Sequence, residues 1–368
     1  MSEKEILVKT GNFPYRVLIE KGALSGLGKA MRLLFPSERT IMVSDENVYS
    51  LYGEQVLKSL KNENWQVEKY VIAPGENSKN LTIASRIYDA AVDAELDRNS
   101  PVIALGGGVV GDLGGFIAAT YLRGVPLVMV PTSLLAQVDS SIGGKVAVNH
   151  PRGKNIIGSI YPPRIVLIDS EVLDTLPRRH FEAGMVEIIK YGIIEDAEFF
   201  FWLEENFESL MQGDGLLLAE AVAGSIRSKA RVVEADEFEK DYRRILNFGH
   251  TIGHALEAAS GFKYYLHGEA VLVGMTAALD IALALNVIKP GIAGRMKRLI
   301  SKINPKKAPA GLTAERVIDK LRQDKKRLGS DIIFVLPDQI GSAIIVPVND
   351  ENLLNLVLNK YLKSDATG

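Results

Sequence analysis

Through the first half of the chain, short β-branched runs alternate with longer helical patterns, and this alternation restricts the fold more than any other feature. The runs are YRVLIE (15–20), RTIMVS (39–44), EKYVIA (68–73), PVIAL (101–105), PLVMVP (126–131) and RIVLID (164–169). Strands separated by helices predict a parallel sheet with crossover helices on its faces. After Pro177 the texture changes to long segments of period 3.6, among them FEAGMVEIIKYGII, LLLAEAVAGSIRSKARVVEADE and HTIGHALEAAS, with a single late strand-like run, IIFVLP (332–337). We therefore expect an α/β domain over 1–177 and a mostly α-helical domain over 178–368, with INPKKAPAGLT (303–313) as a surface loop between helices.

Composition narrows the chemistry that such a scaffold can host. The chain has no cysteine, which removes thiol nucleophiles, disulfides, iron–sulfur clusters and Cys-ligated zinc. A metal must then rest on His, Asp, Glu or carbonyl oxygen, and five histidines are present. With 43 basic against 45 acidic residues there is no general field for nucleic acid, although a local basic pocket for a small anion is compatible with that sum. The opening MSEKEILVKTGNF is charged from its third residue and has no apolar core, so we expect a cytoplasmic protein without a signal or anchor. The apolar stretch 271–288 is interrupted by Asp280 and Asn286, which predicts a buried core helix rather than a membrane span.

Ligands of an open parallel sheet bind beyond the carboxyl ends of its strands, so the residues just after each run matter most. PVIAL leads into GGGVVGDLGGF, whose glycines at 106, 107, 108, 111, 114 and 115 would let the backbone approach a pyrophosphate at a helix N-terminus; tight helix–strand packing would use the same glycines. In SDENVY (44–49), Asp45 can accept from a ribose hydroxyl or cap a helix. APGENSK (73–79) sets Glu76 and Lys79 beside a turn, and PTSLLAQVDSSIGGK (131–145) supplies Thr132, Ser133, Asp139 and Lys145.

In the second half the histidines gather as His250 and His254 in NFGHTIGHALEAAS and His267 in YYLHGEAV, while His150 and His180 stand apart. Spacing i, i+4 puts the first two imidazoles on one helical face, as metal sites often require. Without thiols the remaining hard ligand should be a carboxylate, and EAGMVEIIK offers Glu182 and Glu187, between which the helix alone does not choose. Lys190 lies three residues after Glu187, and a cation beside a metal-binding carboxylate suggests an anionic substrate. Arg123, Lys145 and Lys154 with Asn155 sit amid Gly-rich or apolar sequence, where phosphate or carboxylate binding explains them better than solvation; Lys229, Arg243, Lys325 and Lys326 add to the cationic residues.

Taken together, GGGVVGDLGGF, PTSLLAQVDSSIGGKVAVN, GKNIIG, GMVEIIKYGII and LNFGHTIGHALE followed by LHGEAV resemble the 3-dehydroquinate synthase family, in matching order from about residue 40 to 340. The resemblance implies a Rossmann-like NAD-binding domain, a helical metal- and substrate-binding domain, and an NAD- and metal-dependent lyase of the shikimate pathway. That enzyme converts 3-deoxy-D-arabino-heptulosonate 7-phosphate to 3-dehydroquinate and phosphate on the way to chorismate and the aromatic amino acids. It implies metal ligands at Glu187, His250 and His267, holding zinc or cobalt, and makes His254 a substrate-site residue. For NAD it implies Asp45, Glu76, Lys79, Gly107, Gly108, Val109, Asp112, Thr132, Ser133, Leu135, Asp139, Lys145, Lys154, Thr175 and Leu176. For the substrate and its chemistry it implies Arg123, Asp139, Lys145, Lys154, Asn155, Glu187, Lys190, Lys229, Arg243, Asn247, His250, His254, His267 and one of Lys325 or Lys326. The arginine matching Arg123 reaches the neighbouring subunit's site in that family, which implies a homodimer. His180 stands where relatives carry a glutamate near the cofactor, and Ser133 replaces a threonine. The alternatives are another sugar-phosphate cyclase, which would lack carboxylate anchors such as Lys229 and Arg243, and a metal-dependent alcohol or glycerol dehydrogenase.

Overall fold

A computed structural model of the chain describes residues 4–10, 13–328 and 331–362, the side chains of 324–328 excepted. It resolves into two compact units, one formed by Met1–Pro177 with Gly213–Phe238, the other by Arg178–Gln212 with Glu239–Gly368.

The first unit is built on a seven-stranded sheet. In chain order the strands are β1 (Lys4–Val8), β2 (Tyr15–Glu20), β3 (Arg39–Asp45), β4 (Gln66–Ile72), β5 (Val102–Gly106) and β6 (Leu127–Pro131), then a hairpin of β7 (Lys145–His150) and β8 (Gly153–Ile160), and β9 (Ile165–Asp169). The sheet order is β1-β2-β9-β6-β5-β3-β4, parallel throughout except for the β1–β2 pair. All six β-branched runs are strands of this sheet. Every residue of β5, β6 and β9 is buried, as expected where both faces of a parallel sheet are covered.

The chain leaves β3 for the edge strand β4 and then crosses back to β5 on the other side of β3. The strand order therefore reverses between β3 and β5, and the crevice outside a sheet at such a point is where ligands bind. The register aligns the strand ends there, pairing Ser44 with Leu105, Asp45 with Ile72 and Gly106 with Pro131. Below, side chains such as Leu24, Leu27, Met31, Val56, Leu60 and Trp65 pack on β-strand residues Ile103, Leu105, Val128 and Val130 to form the core.

Two features differ from the sequence-based expectation. The segment 145–160, which the strand-like runs leave out, folds as the antiparallel β7–β8 hairpin, tied to the turn after β4 by the Asn149 amide donating to the Lys79 carbonyl at 2.8 Å. The helix Gly215–Ala235 belongs with the first unit although the chain has already left it, so the division at 177 is not a single crossing.

The second unit packs helices Arg178–Ile194, Ala197–Met211, His250–Ala259, His267–Ala284, Pro290–Ile300, Ala314–Leu328 and Glu351–Leu362. The run IIFVLP forms β10 (Ile333–Gln339), and Ser342–Pro347 pairs with it as β11, a strand that periodicity did not reveal. Residues 303–313 connect two helices as a loop. Helix His267–Ala284 is long and apolar enough to cross a membrane, yet two-thirds of it (67%) is buried inside the protein as a core helix.

Candidate active site

Two groups of chemically active residues emerge, one in each unit. In the second unit, three helices approach one another at backbone distance. A Cβ on Gly268 would lie 2.1 Å from the Ala183 carbonyl oxygen, and one on Gly274 would lie 1.9 Å from that of Gly249. Gly249 itself takes φ +80, a left-handed conformation that starts helix His250–Ala259 without a side-chain cap. These close approaches bring Glu187, His250 and His267 together from three separate helices, with one ligand atom from each within 4.8 Å of the others.

Glu187 is fully buried, and neither of its carboxylate oxygens accepts a hydrogen bond. Oε2 faces the Lys190 ammonium at 2.5 Å, whereas Oε1 lies 3.9 Å from His250 Nε2 and 3.7 Å from His267 Nε2. Those gaps are too long for hydrogen bonds. They approach the spacing of about 3.4 Å between atoms that each lie about 2.1 Å from one tetrahedral ion. His250 turns Nδ1 to the Phe248 carbonyl at 3.1 Å, and His267 turns Nδ1 to Glu257 Oε2 at 3.3 Å, so both rings present Nε2 toward Glu187. Burial first, then the charges of Lys190, His267 and His254, hold the His250 pKa well below 6.5, so this ring is neutral as a ligand must be. A buried carboxylate without hydrogen bonds and two oriented imidazoles fit a divalent cation.

The geometry also resolves alternatives that periodicity left open. Glu182 faces outward and pairs with Arg178 at 2.8 Å, one turn earlier on the same helix. His254 is exposed, and its ring centroid lies 5.4 Å from that of His250 and 5.8 Å from that of His267. It shares a second potential ligand group with Glu257 and His267. Lys190 and Arg243 are buried, and Asn247 donates to Glu239 Oε1 at 3.5 Å. Lys325 and Lys326 lie on helix Ala314–Leu328, with side chains outside the described residues. His180 is exposed in the first turn of helix Arg178–Ile194.

In the first unit the post-strand residues line the carboxyl edge of the sheet. Gly107 is the N-cap of helix Gly108–Thr120 and makes no side-chain cap, which leaves the first turn's amides, including those of Gly108 and Val109, for an anion. A Cβ on Gly107 would meet Ser133 Oγ at 3.4 Å, and one on Gly108 would meet Ser140 Oγ at 3.2 Å, so these glycines keep the cradle open. Asp45 ends β3 and caps the next turn, Oδ1 accepting from the amides of Asn47 and Val48. Thr132 and Ser133 follow β6, and Leu135 starts the turn that carries Asp139. Thr175 shares a hydrogen bond with Tyr52, and Leu176 ends the Ser170–Thr175 turn.

Several buried charges in this unit are paired. Lys79, only 4% exposed, lies 2.7 Å from Asp112 Oδ2 and 3.5 Å from Glu76 Oε1. Burial alone would raise the Glu76 pKa, but Lys79, the Asn149 amide and Lys154 together hold it below the ordinary 4.5. Asp112 is pushed above 3.8, because burial outweighs the pull of Lys79. Lys229, on helix Gly215–Ala235, donates to the Asp139 carbonyl at 2.6 Å and to its carboxylate at 2.5 Å. Lys145 begins β7, and Lys154 and Asn155 lie on β8. Arg123 and Leu122 both take left-handed φ, +67 and +47, and are exposed at the tip between helix Gly108–Thr120 and β6. Residues that the sequence reading missed are Glu257, Glu239 and Asn149; Glu257 was detectable as a carboxylate seven positions after His250 and three after His254, on their helical face.

Comparison with known proteins agrees with this architecture. Family models described as 3-dehydroquinate synthase N-terminal and C-terminal match residues 69–183 and 184–327. A 3-dehydroquinate synthase of Pelotomaculum thermopropionicum is 48% identical over 339 residues, covering 92% of this chain and 91% of its own length. That of Desulforamulus reducens is 48% identical over 341 residues, covering 92% and 95%. Among solved structures, 2-deoxy-scyllo-inosose synthase, complexed with carbaglucose-6-phosphate, NAD+ and Co2+, superposes with a TM-score of 0.89 at 27% identity, covering 98% of this chain and 100% of that one. The 2-epi-5-epi-valiolone synthase of Streptomyces hygroscopicus, with NAD+ and Zn2+ bound, gives 0.86 at 28%, covering 96% and 98%. The NADH-dependent butanol dehydrogenase A of Thermotoga maritima, at 14% identity and a TM-score of 0.71 over 96% of this chain and 98% of its own, shares the fold alone. By both domain matches and by its identity to full-length relatives, the chain belongs to the 3-dehydroquinate synthase family.

Proposed function

We propose that the chain catalyses its family's reaction, converting 3-deoxy-D-arabino-heptulosonate 7-phosphate to 3-dehydroquinate and phosphate. The observation that carries this reading is the buried Glu187–His250–His267 group with Lys190 beside it, in a chain 48% identical to proteins of that name. Overall the reaction is redox-neutral: NAD, when bound, would supply a transient hydride acceptor for the C5 carbinol and give the hydride back, so that the substrate can lose phosphate by β-elimination and close by an intramolecular aldol step. A divalent cation held by Glu187, His250 and His267, zinc or cobalt by the chemistry of the donors, supplies Lewis acidity toward the substrate's hydroxyl and carbonyl oxygens.

The protein's own groups do the rest. The uncapped turn at Gly107, Gly108 and Val109 is suited to the pyrophosphate of NAD. Asp45, Glu76, Lys79, Asp112, Thr132, Ser133, Leu135, Asp139, Lys145, Lys154, Thr175 and Leu176 are its other proposed contacts. Lys145, Asn155, Asn247, Arg123 and Lys325 or Lys326 are proposed to hold the substrate phosphate. Lys229, already oriented by Asp139, and Arg243 are proposed for the substrate carboxylate. Anchoring both ends of a flexible seven-carbon chain makes ring closure an oriented intramolecular step. Lys190 and His254 flank the ligands as candidate proton handlers, with the leaving phosphate able to act as its own base. In this reading the enzyme is cytoplasmic and homodimeric, with Arg123 serving the neighbouring subunit; its strained, exposed tip supports that role.

The test is phosphate release from the heptulosonate phosphate, with and without NAD and chelator. Release should need both NAD and metal, without net NADH. Net NADH accumulation with an alcohol substrate would support a dehydrogenase instead, and turnover of a hexose phosphate alone would support another cyclase.

A further inference from the structure

Beside the three ligand candidates lies a carboxylate with no role in the reading above. Glu257 sits in the last turn of helix His250–Ala259, on the face that carries His250 and His254. A negative charge in a last turn works against the helix dipole, so the helix itself gains nothing from a glutamate there. Its side chain is only 12% exposed, and Oε2 lies 3.3 Å from His267 Nδ1. On the opposite side of the same ring, Nε2 faces Glu187 Oε1 at 3.7 Å.

An imidazole can offer a lone pair at Nε2 only when its proton is held at Nδ1, and a carboxylate at Nδ1 both selects that tautomer and makes Nε2 more basic. We propose that Glu257 is the positioning residue of the metal centre, accepting the Nδ1 proton of His267 so that Nε2 is held neutral and aimed at the cation. The Phe248 carbonyl does the equivalent for His250, as a neutral acceptor. The two histidines are thus unequal ligands, and His267 is the one whose donor strength depends on a removable charge. This inference rests on the proposal that Glu187, His250 and His267 hold a metal. A competing arrangement, in which Glu257 itself ligates with His254 and His267, would spend the Nδ1 face of His267 on a more exposed group and leave Glu187 Oε1 buried between two imidazoles with no ion to meet it.

The experiment uses the full chain stripped of metal, with Zn2+ and Co2+ affinity measured by competition with a chromophoric chelator, and the visible spectrum of the Co2+ form as a readout of the ligand field. Glu257→Ala should weaken metal binding by about 10- to 100-fold and shift the cobalt bands. Glu257→Gln, which keeps an acceptor but loses the charge, should fall between, at about 3- to 10-fold. NAD affinity and the circular dichroism of the apo-protein should be unchanged in both. If Glu257→Ala does not fold, the Glu257→Gln affinity and spectrum carry the test. Wild-type affinity and an unshifted spectrum in the variants would overturn the positioning role, as would two ions per wild-type chain falling to one on substitution. Failure of the wild-type chain to bind stoichiometric metal would instead overturn the metal reading on which the inference rests.

Discussion

The two units differ in how completely the buried charges of their candidate sites are paired. In the first, Lys79 is shared between Asp112 and Glu76, and Lys229 is held by Asp139 through two contacts. In the second, Glu187 is buried with no hydrogen bond to either oxygen, Lys190 on one side and two imidazole nitrogens at non-bonding distance on the other. A polar site that is internally satisfied can wait for a ligand at little cost. One whose buried carboxylate is paired at one oxygen but leaves the other facing two imidazole nitrogens gains more from the ion that completes it. The second unit should therefore respond strongly to metal and the first hardly at all.

The largest effect expected from this contrast is on catalysis. His267→Ala and Glu187→Gln should each lower phosphate release by about 10³-fold, the equivalent of about 4 kcal/mol, and both should lose bound metal while remaining folded. Retained stoichiometric metal with full turnover in His267→Ala would break the comparison. Next, Lys79→Met should destabilise the first unit by about 3 kcal/mol in denaturant unfolding, because Asp112 and Glu76 lose the charge they share. An unchanged midpoint would show that this network is less interdependent than its geometry indicates.

A smaller effect comes from packing. Gly268→Ala forces a methyl group to within 2.1 Å of the Ala183 carbonyl oxygen, so about 2 kcal/mol of stability and part of the metal affinity should be lost together. Gly291→Ala, whose added Cβ meets nothing within 4 Å, is the control and should leave both unchanged.

The smallest effect sharpens the comparison inside the second unit, which also contains a satisfied carboxylate. Burial pushes the Asp280 pKa up, but hydrogen bonds from Lys297, Tyr361 and Lys360 more than offset this and hold it below 3.8. Because the folded value is the lower one, its stabilisation is fully present above the unfolded pKa near 3.8 and disappears as pH falls through the folded value. Asp280→Asn should cost about 1 kcal/mol at neutral pH and flatten the acid limb of a stability–pH curve. A curve parallel to that of the wild type would assign the acid limb to other groups.

Much of the first unit could be read from sequence because its information is local. Each strand is a short apolar run, and each ligand-facing loop follows its strand directly, so periodicity and a Gly-rich turn were enough to point at Asp45, Glu76, Lys79 and Gly107–Gly108. The β7–β8 hairpin escaped this reasoning because its exposed β8 face lacks the apolar continuity of the buried strands. The membership of helix Gly215–Ala235 in the first unit escaped it too, since helical period says nothing about which core a helix joins.

Taken by itself, the sequence determined the class of chemistry. The lack of cysteine confined any metal to imidazole and carboxylate, the strand–helix alternation dictated a parallel sheet, and the ordered motifs carried the family. Helical period did not decide which residues meet; the ordered motifs implied Glu187, His250 and His267, and the tertiary structure brings those three together. Spacing favoured His250 with His254 and left Glu182 and Glu187 equivalent, whereas packing paired His250 with His267, buried Glu187 between them, turned Glu182 out to Arg178 and set Glu257 behind His267. The physical reason is that helical period ranks neighbours within one helix, while a metal centre is assembled across several. Here the crossing is set by glycines at 249, 268 and 274, where no side chain separates the backbones.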